Sequence, residues 1–104
     1  MKTVITATEP NVKSLMDQRF GRCKYFCVLD DEKDEISFVK NGNENAIGGA
    51  GTQTAENIIS LGVNRVISGD FGPKAKELLD KYNVQLIKIT EEQKSIEEII
   101  SSMK

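Results

Sequence analysis

The sequence predicts an α/β protein, a single three-layer domain over residues 1–104 in which a five-stranded mixed sheet carries helices on its faces. Three observations lead there. The second half alternates helical and strand patterns, helix-strand-helix-strand-helix, which is the rhythm of parallel crossovers. The first half sets a continuous apolar run beside a partly alternating one across an acidic turn, the pattern of an antiparallel hairpin. A length of 104 residues, with 38% hydrophobic and 29% charged side chains, suits one soluble core and is short for two.

Each element follows from local sequence. Thr3-Val4-Ile5-Thr6-Ala7 is a β-branched run ended by Glu9-Pro10-Asn11, a first strand and its exit loop. Tyr25-Phe26-Cys27-Val28-Leu29 is apolar throughout, so both faces of this second strand are expected to be covered. Asp30 to Glu35 is acidic apart from Lys33 and reads as a solvated turn into Glu35–Val39, whose partial alternation marks an edge strand. Lys40 to Gly51 holds four glycines and three asparagines and is expected to be one mobile loop inside the domain. Ala55, Ile58 and Ile59 then share a helical face, with Gly62 at the place of a left-handed C-terminal cap. Val63–Ser68 follows as a strand. Gly72-Pro73 opens a second helix with proline at its first position, Ala75, Leu78, Leu79 and Tyr82 form its stripe, and Asn83 closes it. Val84–Ile89 is the fifth strand. A last helix places Ile96, Ile99, Ile100 and Met103 on one face, and Ser95 with Glu98 forms a capping box at its start. Leu61–Ile67 echoes Tyr82–Ile87, a faint repeat of one crossover unit.

Composition removes whole classes of function. The chain has no histidine and no tryptophan, which excludes Ser-His-Asp triads, Cys-His dyads, HExxH zinc sites and histidine proton shuttles. Its 14 basic and 16 acidic residues are spread evenly over both halves, so there is no basic arm and no nucleic-acid partner is expected. Lys13 to Lys24 is the exception, a locally basic segment with Arg19 and Arg22 against Asp17 alone. The N-terminus has too short an apolar stretch for a signal peptide, and no run reaches the ~18 apolar residues of a membrane span. A cytoplasmic protein without a membrane partner is expected, and Cys23 and Cys27 are then thiols. Four residues apart along an extended chain, their α-carbons lie roughly 13 Å apart, beyond disulfide reach.

Sheets of this kind bind ligands beyond the carboxyl ends of their parallel strands, which gathers Thr8–Asn11, Ser68–Gly72 and the glycine loop around one crevice. Gly48-Gly49-Ala50-Gly51-Thr52 runs into a helix, so its free N–H groups suit an anion, or its glycines serve loop mobility. No lysine follows the last glycine, so this is not a Walker loop, and the polar segment before it does not fit a dinucleotide fingerprint. Gly69-Asp70-Phe71-Gly72-Pro73 lies directly between strand and helix: either a ligand turn with Asp70 at the crevice mouth, or a tight turn with Gly72 as N-cap. In Phe20-Gly21-Arg22-Cys23-Lys24-Tyr25, flanking cations lower the pKa of a thiol in principle, which offers Cys23 as metal ligand or nucleophile against a plain core role. Cys27, between Phe26 and Val28, reads as core. Two cysteines without histidine cannot build a four-ligand zinc site, although a twofold dimer brings two copies of Cys23 together. Nucleophile, base and oxyanion site do not assemble, so no enzyme is expected.

Phe20-Gly21-Arg22 before an aromatic-rich strand, the Gly48–Gly51 loop opening a helix, Leu61-Gly62-Val63 leading into Val66-Ile67-Ser68-Gly69, and Gly72-Pro73-Lys74-Ala75 together resemble the dinitrogenase iron-molybdenum cofactor-binding family, over nearly the whole chain. That family includes NifX-type carriers and a domain of NifB-type proteins. The resemblance implies a ribonuclease H-like fold of strand order 3-2-1-4-5 and, for nitrogen-fixation members, non-catalytic carriage of an iron-molybdenum cofactor or its iron-sulfur precursor. The cofactor-binding positions it implies are Phe20, Gly21 and Arg22, then Gly48, Gly49 and Gly51, and the turn Gly69, Asp70 and Gly72; where many relatives carry histidine in the 41–51 loop this chain offers Asn43, Glu44 and Asn45, of which Asn43 is counted with the site. Cys23 is the metal ligand left to a chain without histidine. A metallocluster or other anionic ligand is the expected cargo, a cluster donor or acceptor protein the expected partner, and a monomer or weak homodimer the expected state. Two other readings stand beside the carrier: a metal-free interaction or regulatory domain using the 41–51 loop, and a thiol-dependent enzyme using Cys23.

Overall fold

β-Branched residues at the centre of the chain's first strand bury completely because both of their faces are covered. Val4 and Ile5 are each 0% exposed, and they point into different cores. A computed structural model describes residues 1–91 and 93–103. Its elements are β1 (Lys2–Ala7), β2 (Tyr25–Asp30), β3 (Glu35–Lys40), α1 (Ala50–Ser60), β4 (Arg65–Ser68), α2 (Pro73–Lys81), β5 (Gln85–Lys88) and α3 (Ile96–Ser102). The sheet order is β3-β2-β1-β4-β5, the order the resemblance implies. β2 pairs antiparallel with β1 and β3, while β1–β4 and β4–β5 are parallel, so the sheet is mixed as expected.

Alternation along the strands sorts side chains into two cores. Val4, Phe26 and Val66 meet Ala55 and Ile58 of α1 and Ala75 and Leu79 of α2. Ile5, Cys27, Leu29 and Ile67 meet Ile96 and Ile99 of α3 on the other face. At the edge, β3 is mostly exposed. Gly62 follows α1 at φ 74, and Ser95 and Glu98 form the capping box at α3, both as the sequence indicates.

The structure shifts several boundaries. β4 and β5 begin two and one residues later than expected, because Val63 and Val84 are spent as buried plugs before pairing starts. Lys2 holds Asn64 at that point, its backbone N–H donating to Asn64 Oδ1 at 2.8 Å. Tyr82 does not belong to the α2 stripe: α2 ends at Lys81, the chain unwinds, and Tyr82 is 55% exposed. The expected 40–51 loop is shorter as well, since Lys40 closes β3 and Ala50 and Gly51 lie in the first turn of α1. Among the described residues no helix is long and apolar enough to cross a membrane.

Candidate functional site

Beyond the carboxyl ends of β1 and β4, residues 17–20 are laid across the sheet and tied to both strands. Asp17 N–H donates to Thr6 O (2.9 Å) and Thr6 Oγ1 donates to Asp17 O (2.7 Å). On the β4 side, Asp70 N–H donates to Gln18 O (2.6 Å) and Phe20 N–H to Asp70 O (3.0 Å). This crossing requires Gly69: a Cβ there would lie 2.8 Å from the Gln18 α-carbon. Gly69 is therefore a place of close backbone approach.

Phe20-Gly21-Arg22 performs three different tasks. Phe20 is 0% exposed and packs on Phe71, ring centroids 5.5 Å apart, so it anchors the segment in the core. Gly21 sits against the first turn of α1, where a Cβ would approach Gly51 N to 2.7 Å and Gly51 Cα to 2.8 Å. Arg22 Nη1 donates to Glu44 O (2.9 Å) and Ala46 O (2.7 Å), holding the loop before α1. Asn41, buried at the start of that loop, donates from Nδ2 to Cys23 O (2.8 Å) and Gly21 O (3.2 Å) and accepts from Thr54 Oγ1 (3.2 Å). Motif, loop and helix are thus joined, the motif through its backbone carbonyls and the helix through the Thr54 hydroxyl.

Of the two readings of Cys23, the core position is where the structure places it. Its side chain is 0% exposed and its Sγ donates to Phe20 O at 3.3 Å. Burial, and next the negative charge of Asp17, push the thiol far above the ordinary thiol range, with Glu44 adding to the rise and Arg19 opposing it weakly. Sequence adjacency to Arg22 and Lys24 misled because Arg22 is committed to the loop carbonyls and Lys24 is exposed. Cys27 is buried as expected, and burial raises its thiol to about 12.

What the segment and the loop enclose is a polar cleft of about 330 Å³, lined by Thr8, Glu9, Asp17, Arg19, Arg22, Lys24, Glu44 and Asn45. Three cations face three carboxylates. Asp17 Oδ1 accepts from Arg19 N–H (2.9 Å) and lies 3.5 Å from Arg19 Nε, whereas Glu44 Oε2 is buried with no hydrogen-bond partner among the described residues. Thr8 and Glu9, from the segment the sequence placed at the crevice, line this cleft, and of the cofactor-binding positions named from the sequence Arg22 alone does. Asn43 is spent on a turn, its carbonyl accepting from Ala46 N–H (3.1 Å). Gly48 and Gly49 are exposed at φ 74 and 68, turning the chain into α1. Gly51 lies inside α1 where a Cβ would meet Ala75 Cβ at 3.5 Å, a helix-to-helix contact. Gly72 caps α2, and Asp70 Oδ1 accepts from Gly72 N–H (3.2 Å), so the Gly69–Gly72 turn lies on a separate groove with Lys76 and Lys88. The residues the motifs missed, Arg19, Lys24 and Asp17, were marked by the basic segment from Lys13 to Lys24, and Glu44 and Asn45 only by their place in the loop.

Three layers in this strand order, with a polar cleft beyond the central strand and a sealed thiol, define a small α/β domain. The chain belongs to the dinitrogenase iron-molybdenum cofactor family, whose model matches residues 1–104. It is 32% identical over 76 residues to the uncharacterized protein MJ0580 of Methanocaldococcus jannaschii, a match covering 70% of this chain and 64% of that protein, less than two thirds of its length. Its structure is similar to the apo form of the orange protein from Desulfovibrio gigas, with a TM-score of 0.89 and 26% identity over 98% of this chain and 85% of that one. An NMR structure from Thermotoga, assigned as a NifB protein, shares the fold at a TM-score of 0.82 and 24% identity, covering 98% and 85% of the two chains.

Proposed function

We propose that this protein is a non-catalytic carrier that holds an anionic metallocluster, the iron-molybdenum cofactor or an iron-sulfur precursor, between a donor and an acceptor protein. The observation that carries the reading is the cleft lined by Arg19, Arg22 and Lys24, in a chain that belongs along its whole length to this family. Beside the carboxylates of Glu9, Asp17 and Glu44, the cleft presents guanidinium, ammonium, amide and hydroxyl groups, which are hydrogen-bond donors, and no exposed thiolate. Such a set suits a cluster that arrives with its own ligands and is held through its anionic outer atoms. It does not suit one bonded to iron through Cys23, singly or across a twofold dimer. The near balance of charge in the lining favours reversible holding, which a carrier needs for release. In this reading the sheet is a ribonuclease H-like motif, and the protein works in the cytoplasm as a monomer or weak homodimer.

The test is anaerobic purification after exposure to iron, sulfide and molybdate, followed by metal analysis of wild type, Cys23→Ala and an Arg19→Ala/Lys24→Ala double variant. Metal retained by wild type and Cys23→Ala but lost from the double variant is expected. Equally negligible metal in all three overturns the carrier reading.

One observation favours the second reading, a metal-free interaction domain using the 41–51 loop. Ile47 at the loop tip is 104% exposed, so an apolar side chain stands clear of the body beside the cleft. Binding to a partner protein that survives Arg19→Ala/Lys24→Ala and is lost on Ile47→Asn supports this reading over the first.

A further inference from the structure

The loop beside the cleft has the parts of a gate. Asn41 is fixed in the core by its amide, and Ala50, where α1 begins, is buried. Between these anchors stand Gly42 at φ 81, Gly48 at φ 74 and Gly49 at φ 68, and a Cβ at Gly42 or Gly48 would meet nothing within 4 Å. Left-handed glycines in open space are joints at which a short segment can swing without steric resistance. The segment between them is a unit of its own, closed by the hydrogen bond from Ala46 N–H to Asn43 O. Two bonds from one atom, Arg22 Nη1 to Glu44 O and Ala46 O, tie it to the body. Glu44 opposes them: its Oε2 is buried without a partner among the described residues, a cost that ends when the segment lifts into water. Glu44 and Asn45 form one wall of the cleft, and the other lining residues belong to the body.

We propose that residues 43–47 are a lid on the cleft, hinged at Gly42 and at Gly48–Gly49, latched by Arg22 and driven toward opening by the buried, unpartnered Oε2 of Glu44. The lid deepens the carrier reading, on which it rests only for the identity of what passes. A ligand anion that takes the Arg22 guanidinium also frees the latch, so entry and opening are one event.

Thermolysin, which cuts before bulky apolar residues, tests this on the full chain. Its site before Ile47 has Ala46 O as the scissile carbonyl, the atom Arg22 holds at 2.7 Å. A cut before Ile67, which is buried in β4, reports global unfolding in the same digest. When cleavage is slow, its rate follows the open population. Arg22→Ala is expected to speed the cut before Ile47 by about ten- to a hundredfold, the effect of losing two charge-assisted hydrogen bonds, without changing the cut before Ile67. Glu44→Gln is expected to slow it several-fold. An Arg22→Ala rate equal to wild type overturns the lid. Where Arg22→Ala speeds both cuts together, Glu44→Gln decides: slower cleavage before Ile47 supports the lid, and equal or faster cleavage overturns it. Failure of metal loading with both variants behaving as described removes the carrier reading and leaves the lid in place.

Discussion

Replacing Gly21 by alanine tests whether the Phe-Gly-Arg segment acts through backbone packing. The added Cβ would sit 2.7 Å from Gly51 N, 2.8 Å from Gly51 Cα and 3.1 Å from Ala50 C, all main-chain atoms that no rotamer change can move. Ordinary carbon contacts begin near 3.4 Å, so the first turn of α1 has to retreat by roughly 0.6 Å, and Ala75 of α2 stands close by on the Gly51 side. Forced overpacking of this kind costs about 1–3 kcal/mol. At about 4–8 °C per kcal/mol for a domain of this size, Tm falls on the order of 10 °C. Gly48→Ala is the comparison, since its φ of 74 carries only the left-handed penalty of about 1–2 kcal/mol and its Cβ meets nothing. Urea melts followed by far-UV circular dichroism measure both. A Gly21→Ala protein within about 0.5 kcal/mol of wild type, the range of neutral surface changes, refutes the packing role.

Asn41→Ala leaves the carbonyls of Gly21 and Cys23 without their donor and Thr54 without its acceptor; a loss of about 2–3 kcal/mol is expected in urea melts, with Thr54→Val costing less and the two coupled in a double-mutant cycle. Ser95→Ala removes the side-chain half of the α3 capping box and should cost about 1 kcal/mol. Burial raises the Cys27 thiol from 9.0 to about 12, so the folded state keeps a proton that the unfolded state gives up. The corresponding stability is whole below pH 9 and is lost as pH rises from 9 to about 12. The stability gap between wild type and Cys27→Ala therefore narrows over that interval in urea melts.

The fold was legible because each of its choices is written locally and the choices agree. Proline after Gly72, the serine and glutamate at α3, and Gly62 after α1 each state an element's end in one or two residues. The unbroken apolar run of β2 beside the weaker β3 states which strand is interior. Tyr82 shows where periodicity overreaches: it continues the i, i+3, i+4, i+7 count past the residue at which the helix stops, and only the unwinding at its C-terminal end decides that it faces water.

The site was legible only as a neighbourhood. Glycines carry two meanings that a sequence does not separate, since a residue without a side chain admits either a ligand or another stretch of backbone. Here Gly21 and Gly69 admit backbone, from Gly51 and Gln18, and this explains why the Phe-Gly-Arg and Gly-Asp-Phe-Gly segments look like ligand motifs although neither glycine lines the cleft and Arg22 alone of the two segments does. Cysteine has the same ambiguity. Flanking cations activate a thiol only when they share its surroundings, and Cys23 shares the interior with Phe20 and Phe26 instead. Glu44 inverts the case: in sequence it is one acid among asparagines, and its importance arises from long-range folding that sets its backbone on Arg22, twenty-two positions away, and shuts one of its carboxylate oxygens from water. A family motif can therefore keep its residues for architecture while the cleft proposed as the site is lined by neighbours that the motif brings into place, Arg19, Lys24 and Glu44 around an arginine that serves both.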